Sequence, residues 1–310
     1  MRCLCCNKEI VGNDVNGWHT SCVKSFFGLK DLPSFDFNGS EESFVKEALE
    51  LLNDTSVTGV QRKLSFYLSK EKNNSRLTLL SKKTPGYILK INSKDFESIA
   101  ELEHLTMLLA ECCKIKVVPH ALIKISGNHY TYISKRIDRV DGGKIHMEDF
   151  CQLSNKPSEY KYNGSYEKVA EIIDRYSNFS RMDKAELFNR LVFCFITCNS
   201  DMHLKNFSLI YLNNKICLSD AYDLVPAQLM VNDPDEVALA LNGKKSKLRK
   251  NDFIKFGLHI GMEEKTITKL LAMYANKKEE MLRIVKEFDI NEELKQKLMN
   301  NIIERINRIS

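Results

Sequence analysis

The chain has 310 residues, 43% of them hydrophobic, and a formal net charge of +5. That length and apolar content suffice for one sizeable core or two lobes and exclude a disordered chain. No apolar run reaches the length of a membrane span, and the opening "MRCLCCNKEI" lacks the charged-then-apolar build of a signal peptide, so a cytoplasmic protein with reduced thiols is expected.

Ten cysteines in a reducing compartment read as core residues or metal ligands rather than a disulfide framework. Cys112, Cys113, Cys194 and Cys198 sit in apolar helical patterns. At the N-terminus, within a segment 1–30, Cys3 and Cys6 form a C-x2-C pair, and His19 with Cys22 forms an H-x2-C pair after the turn residues "VGNDVNG". Two close pairs of sulfur and nitrogen donors are what structural zinc needs. Cysteines packed under the next lobe are the other reading, and spacing alone leaves both open.

From about Leu32 to Asp54 the chain is polar and acidic around one amphipathic stretch, "EESFVKEALELL". The period then changes to that of strands. "RKLSFYLSK" alternates, "GYILKIN" follows a Pro-Gly turn, and "VPHALIKI" and "HYTYISKRI" flank an "SGN" turn as a hairpin. Between them "DFESIAELEHLTMLLAEC" carries Ile99, Leu102, Leu105, Leu108 and Leu109 at helical spacing. A first lobe over 31–138, a small antiparallel sheet with one helix, is expected.

After Asp138 the character is mainly helical: "MEDFCQLS", "SYEKVAEIIDRYS" with Ser165 as cap, then the apolar "LFNRLVFCFITC" and two amphipathic C-terminal helices. One strand pair interrupts them, "FSLIYL" and "KICLSD", turning at Asn213 and Asn214. The fold class expected is α+β in two lobes, the second (139–310) larger and mainly helical. The basic run "GKKSKLRKND" reads as a solvated face, and neither a recognition helix nor aromatic-basic interleaving points to direct nucleic-acid binding.

Immediately after the most apolar helix stands "NSDMHLKNF". An Asp, an Asn five residues on, a hairpin and a further Asp at its end is the order used for phosphoryl transfer by protein-kinase-type enzymes. Asp201 would accept the hydroxyl proton, and Asn206 and Asp223 would hold magnesium on the nucleotide phosphates. Lys90, on the buried strand, could pair with phosphate, oriented by Glu103 or Glu101. "SVTGVQRK" has only one glycine, Gly59, yet its amides and Lys63 could cradle phosphate.

In this order the sequence resembles the HipA toxin kinases of bacterial toxin–antitoxin systems. "SVTGVQRK" is similar to their phosphate-loop segment, "YILKIN" to the nucleotide-lysine strand, "ISKRIDR" with "MEDFCQLS" to the hinge and following helix, and "NSDMHLKNF" with "AYDL" to the catalytic and metal loops. The resemblance implies a two-lobed protein-kinase-like fold. It implies Asp201 as catalytic base, Asn206 and Asp223 as magnesium ligands, and Lys90 as the nucleotide lysine. Thr58, Gly59, Val60, Gln61, Arg62 and Lys63 would cover the phosphates. Backbone at Lys135, Arg136 and Ile137 would meet adenine, and His203 and Tyr222 would flank the nucleotide. Ser56 lies where the family autophosphorylates, and Thr58 offers a second hydroxyl. The short stretch before Ser56 is similar to the HipT branch, in which the N-terminal subdomain is a separate small protein acting with a helix-turn-helix antitoxin.

The expectation is an ATP- and magnesium-dependent serine/threonine kinase toxin that phosphorylates a translation component. The resemblance implies an aminoacyl-tRNA synthetase, tryptophanyl or glutamyl. The rivals are a non-catalytic, pseudokinase-like binding module and a small-molecule kinase.

Overall fold

The structure is a computed structural model that describes residues 1–12, 14–35, 63–70, 75–78, 86–90, 92, 98–124, 130–140 and 143–310. The expected helix "EESFVKEALELL", the "SGN" turn, Ser56 and the run Thr58 to Arg62 lie outside these residues. The chain forms two compact units, Met1–His104 with Val118–Lys144, and Leu105–Val117 with Ile145–Ser310.

In the first unit, the antiparallel pair β1 (Asp14–Val15) and β2 (Trp18–His19) leads into helix α1 (Thr20–Phe27). A six-stranded sheet follows, built from β3 (Ser34–Phe35), β4 (Lys63–Lys70), β5 (Ser75–Thr78), β6 (Tyr87–Lys90), β7 (His120–Lys124) and β8 (Tyr130–Lys135), in the order β3-β5-β4-β6-β8-β7. Its pairings are antiparallel except β3 with β5. Alternation places Leu64, Phe66 and Leu68 of β4 on one face with Leu89, Ile133 and Ile123. Trp18, Phe26 and Phe27 share that core, with ring centroids 4.8 to 5.7 Å apart. Strands β3 and β5 add to the four expected from periodicity. The hairpin β9 (Arg139–Val140) and β10 (Gly143–Lys144) ends the unit.

Helix α2 (Ile99–Cys112) lies within the span its periodicity predicts. On it, His104 is buried against His120 of β7, the two Nδ1 atoms 2.8 Å apart. Burial holds His104 well below the ordinary value of 6.5, helped by the neighbouring imidazole, and burial lowers His120 to about 3. Both rings are therefore neutral in the fold and protonate in the unfolded chain first, so the stability they contribute is complete above pH 6.5. It is lost as pH falls from there toward 3, at up to about 1.4 kcal/mol per histidine per pH unit. Melting temperature measured between pH 7.5 and 5 should fall with acid, and His120→Gln should flatten that slope.

The second unit holds β11 (Met147–Asp149), α3 (Phe150–Leu153), α4 (Tyr166–Tyr176), α5 (Ser180–Ile196), β12 (Ser208–Leu212), β13 (Lys215–Leu218), α6 (Lys250–His259), α7 (Glu264–Glu287) and α8 (Glu292–Ile309). The first three residues of "MEDFCQLS", read as helix, are a strand, because Met147, Glu148 and Asp149 pair with Ile210, Leu209 and Ser208 to complete the antiparallel sheet β11-β12-β13. Asp149 then caps α3 in a reciprocal capping box with Gln152. Ser165 caps α4 as expected, its hydroxyl accepting from Lys168 N–H. Asn213 and Asn214 both take positive φ in the β12–β13 turn.

Helix α5 is buried on every side from Leu187 to Ile196, the mark of a central helix. Its two internal polar residues are matched. Asn189 donates to Cys113 O and accepts from the Tyr274 hydroxyl, and Arg190 pairs with Glu186 at 2.8 Å and donates to Ser219 O at 2.7 Å. The fold is thus mixed α+β, with the strand-rich part N-terminal. None of the described helices is long and apolar enough to cross a membrane.

Candidate active site

The loop after α5 is shaped by its own backbone. Cys198 takes φ +62°, and Asn199 N–H returns to Cys194 O at 2.9 Å, ending the helix sharply. The Asp201 carbonyl then receives two donors, His203 N–H at 2.8 Å and the Asn206 side-chain amide at 2.9 Å. This is the physical content of the D-x4-N spacing: the short loop folds back until Asn206 closes on Asp201. Because its Nδ2 makes that bond, the amide's Oδ1 is the atom left for a cation. The Asp201 carboxylate is about half exposed, whereas Asn206 is buried.

Asp223 is placed from two sides. Arg190 holds Ser219 O, and Ala221 N–H donates to Lys116 O at 2.8 Å. The phenol of Tyr222 bonds the Ser208 hydroxyl at 2.6 Å and donates to Lys205 O at 3.0 Å, which ties the residue before Asp223 to the Asp201–Asn206 loop. Asp223 itself has φ +60°, a left-handed conformation uncommon outside glycine and typical of functional positions. Burial lowers the His203 pKa, the carboxylates of Asp201 and Asp223 pull it back up, and the Lys161 cation adds to the lowering. The two acids therefore act on one buried imidazole. The Asp223 carboxylate and the Asn206 amide oxygen are hard donors, of the kind that suits magnesium.

In the first unit Lys90 is 4% exposed and Glu103 fully buried, with Nζ and Oε1 2.5 Å apart. Sequence left Glu101 and Glu103 as alternatives. The structure gives Lys90 to Glu103, while Glu101 accepts from the Asn92 amide. The Lys90 ammonium also lies 5.3 Å from the Tyr132 ring centre. Lys63, the first residue of β4, pairs across the sheet with Lys90 of β6.

These parts, an Asp–Asn loop, a strained Asp after a hairpin, and a buried lysine–glutamate pair, meet a matching family model, the HipA-like C-terminal domain, over residues 55–298. The chain belongs to this family. Among curated relatives, "Putative kinase Y4dM" of Sinorhizobium fredii is 30% identical over 73% of this chain, and a "Putative kinase" of Haemophilus influenzae is 25% identical over 90% of it. The chain spans 59% of the Sinorhizobium protein's length and 87% of the Haemophilus protein's. In fold it is similar to Shewanella oneidensis HipA, solved with HipB and its operator DNA, with TM-score 0.68, 17% identity, and 85% of this chain and 70% of that one covered. It is also similar to the Helicobacter pylori proinflammatory kinase CtkA, with TM-score 0.53, 16% identity, and 78% and 90% covered.

The remaining candidates of this HipA-like chain are placed as follows. Lys135 and Arg136 commit their N–H groups to Pro119 O and Gly86 O, each at 2.9 Å, so neither amide is left to donate to adenine. The Lys135 side chain turns to α1, 5.4 Å from the Phe26 ring centre, and that of Arg136 pairs with Asp138. Tyr222 is a brace between Ser208 and Lys205, and His203 lies edge-on to Tyr162 with centroids 5.0 Å apart. Tyr162 was missed by sequence reasoning: its hydroxyl donates directly to the Asp201 carboxylate. Leu204 N–H donates to Lys161 O at 3.1 Å, so 161–162 rests on the Asp201–Asn206 loop. No spacing rule joins "EYKYNG" to a loop some forty residues on. Arg190 did leave a signal, a charge inside an apolar run.

Proposed function

We propose that this HipA-like chain is an ATP- and magnesium-dependent serine/threonine protein kinase and acts as a toxin. The observation that carries the reading is the closure of Asn206 on the Asp201 carbonyl beside a left-handed Asp223. Asp201 orients the acceptor hydroxyl and takes up its proton, with the carboxylate steered by the Tyr162 phenol. Asn206 and Asp223 supply the oxygens for magnesium, which when bound would offset charge on the nucleotide phosphates. Lys90, held by Glu103, would present a fixed cation to nucleotide phosphate. His203 is neutral near pH 7 because burial outweighs the two carboxylates, so it serves as packing and not as a competing acid.

The protein substrate in this reading is a translation component, with tryptophanyl- and glutamyl-tRNA synthetases the first to assay. Shewanella HipA is solved with HipB and operator DNA; an antitoxin partner is extended to this chain on that likeness. Autophosphorylation at Ser56 or Thr58 would add nearly two negative charges beside the phosphate segment and switch the enzyme off by repulsion.

The test is intact mass and peptide mapping after incubation with ATP and magnesium, beside Asp201→Asn. Phosphate on Ser56 or Thr58 in the parent only is the expected result. Nucleotide binding with no phosphate on the chain or on either synthetase would overturn the reading in favour of a non-catalytic module. Tyr162→Phe removes a hydrogen bond to a charged group and should lower kcat by about tenfold with the KM for ATP unchanged. Steady-state kinetics of the variant check this.

A further inference from the structure

We propose that Cys3, Cys6, His19 and Cys22 bind one structural zinc ion, and that this ion fixes the N-terminal ribbon to the sheet that carries Lys90. The four side chains come from two local devices. Cys3 and Cys6 flank a tight turn in which Cys3 N–H donates to Lys8 O and Asn7 N–H to Cys3 O, each at 2.9 Å, with Asn7 at φ +53°. His19 ends β2 and Cys22 stands in the first turn of α1. Their ligand atoms all lie within 4.8 Å of one another.

The geometry matches a metal better than a thiol cluster. A tetrahedral centre with Zn–S near 2.3 Å and Zn–N near 2.0 Å places its sulfur and nitrogen about 3.5 Å apart. His19 Nδ1 lies 3.4 Å from Cys6 Sγ and 3.7 Å from Cys22 Sγ. The opposite ring nitrogen, Nε2, is 3.1 Å from Glu9 O, and a carbonyl only accepts, so Nε2 carries the proton. In the neutral ring Nδ1 then has one lone pair, yet two sulfurs approach it. A cation at their centre satisfies all three atoms, and the bond to a backbone carbonyl is the usual support of a metal-bound histidine. His19 N–H also donates to Cys3 Sγ at 3.4 Å, which favours the thiolate. Three sulfurs and one imidazole in a closed set suit zinc, and leave no open position for catalysis.

The ribbon is not an appendage. Leu122 of the edge strand β7 donates its N–H to Leu4 O at 2.8 Å, and its carbonyl accepts from the Trp18 indole at 3.2 Å. Cys3 and Trp18 belong to the same core as Leu89, the residue before Lys90. Losing the metal would therefore loosen the apolar face behind the lysine strand. This inference does not depend on the kinase reading.

Metal analysis of the purified full chain should find about one zinc per chain. Cobalt exchanged for it should show the thiolate charge-transfer and ligand-field absorption of a tetrahedral site. Cys22→Ser should lose both signals and melt about ten degrees lower, whereas Cys5→Ser, which leaves the four ligands intact, should keep them. If Cys22→Ser does not fold, the zinc content and cobalt spectrum of the parent and of Cys5→Ser decide. A folded parent free of metal, a Cys3–Cys6 disulfide, or a melting temperature indifferent to chelator would overturn the proposal.

Discussion

Asp201→Asn should lower phosphoryl transfer by roughly 10²- to 10⁴-fold and leave both folding and nucleotide affinity nearly unchanged. The substitution keeps the shape of the side chain and removes only its basicity. What closes the loop is the Asp201 main-chain carbonyl, which holds His203 N–H and the Asn206 amide and survives the change. The carboxylate is about half exposed and its bond to Tyr162 can be remade by an amide oxygen, so no buried charge is stranded. The measurements are transfer rate, melting temperature and nucleotide dissociation constant on one preparation. A variant that unfolds, or that loses nucleotide in proportion to rate, would show Asp201 acting as scaffold. Asn206→Ala gives the contrast: it removes the loop-closing bond together with the oxygen offered to magnesium, so the magnesium concentration needed for half-maximal rate should rise.

The parts of this site that sequence showed are those encoded locally. The D-x4-N loop, the Asn213–Asn214 turn and the buried "YILK" strand each follow from spacing within about ten residues, where backbone geometry leaves few alternatives. The Cys3–Cys6 and His19–Cys22 pairs were legible for the same reason, although only the fold shows their four ligand atoms converging. What escaped depends on distant partners. β5, "SRLT", has one buried residue, Leu77, and is a strand because β4 and β3 flank it. β11 is drawn out of a helical pattern by β12. The choice of Glu103 over Glu101 turns on which face of α2 meets Lys90, and Tyr162 reaches Asp201 only through tertiary folding. At the hinge, the resemblance points to the backbone of Lys135, Arg136 and Ile137, and only the folded sheet shows that the N–H groups of Lys135 and Arg136 bond Pro119 O and Gly86 O.

The second large effect concerns the buried ion pair. Lys90→Met should destabilise the protein by about 3–5 kcal/mol, because it leaves the Glu103 carboxylate, fully buried, without the ammonium 2.5 Å away. Glu103→Gln should cost less, since the amide oxygen can still accept from the buried Lys90 ammonium, but the lysine would lose the anion that fixes its direction. The double variant Lys90→Met with Glu103→Leu removes both charges and fills the space with apolar atoms, so stability should return to near that of the parent. Nucleotide affinity and transfer rate should not return with it. Urea unfolding of the three variants beside ATP binding therefore separates what the pair does for the fold from what the lysine does for phosphate. If the double variant regained ATP binding along with stability, Lys90 would be a structural ion-pair partner and the nucleotide cation would have to be sought elsewhere, with Lys63, its cross-strand neighbour, the first to replace.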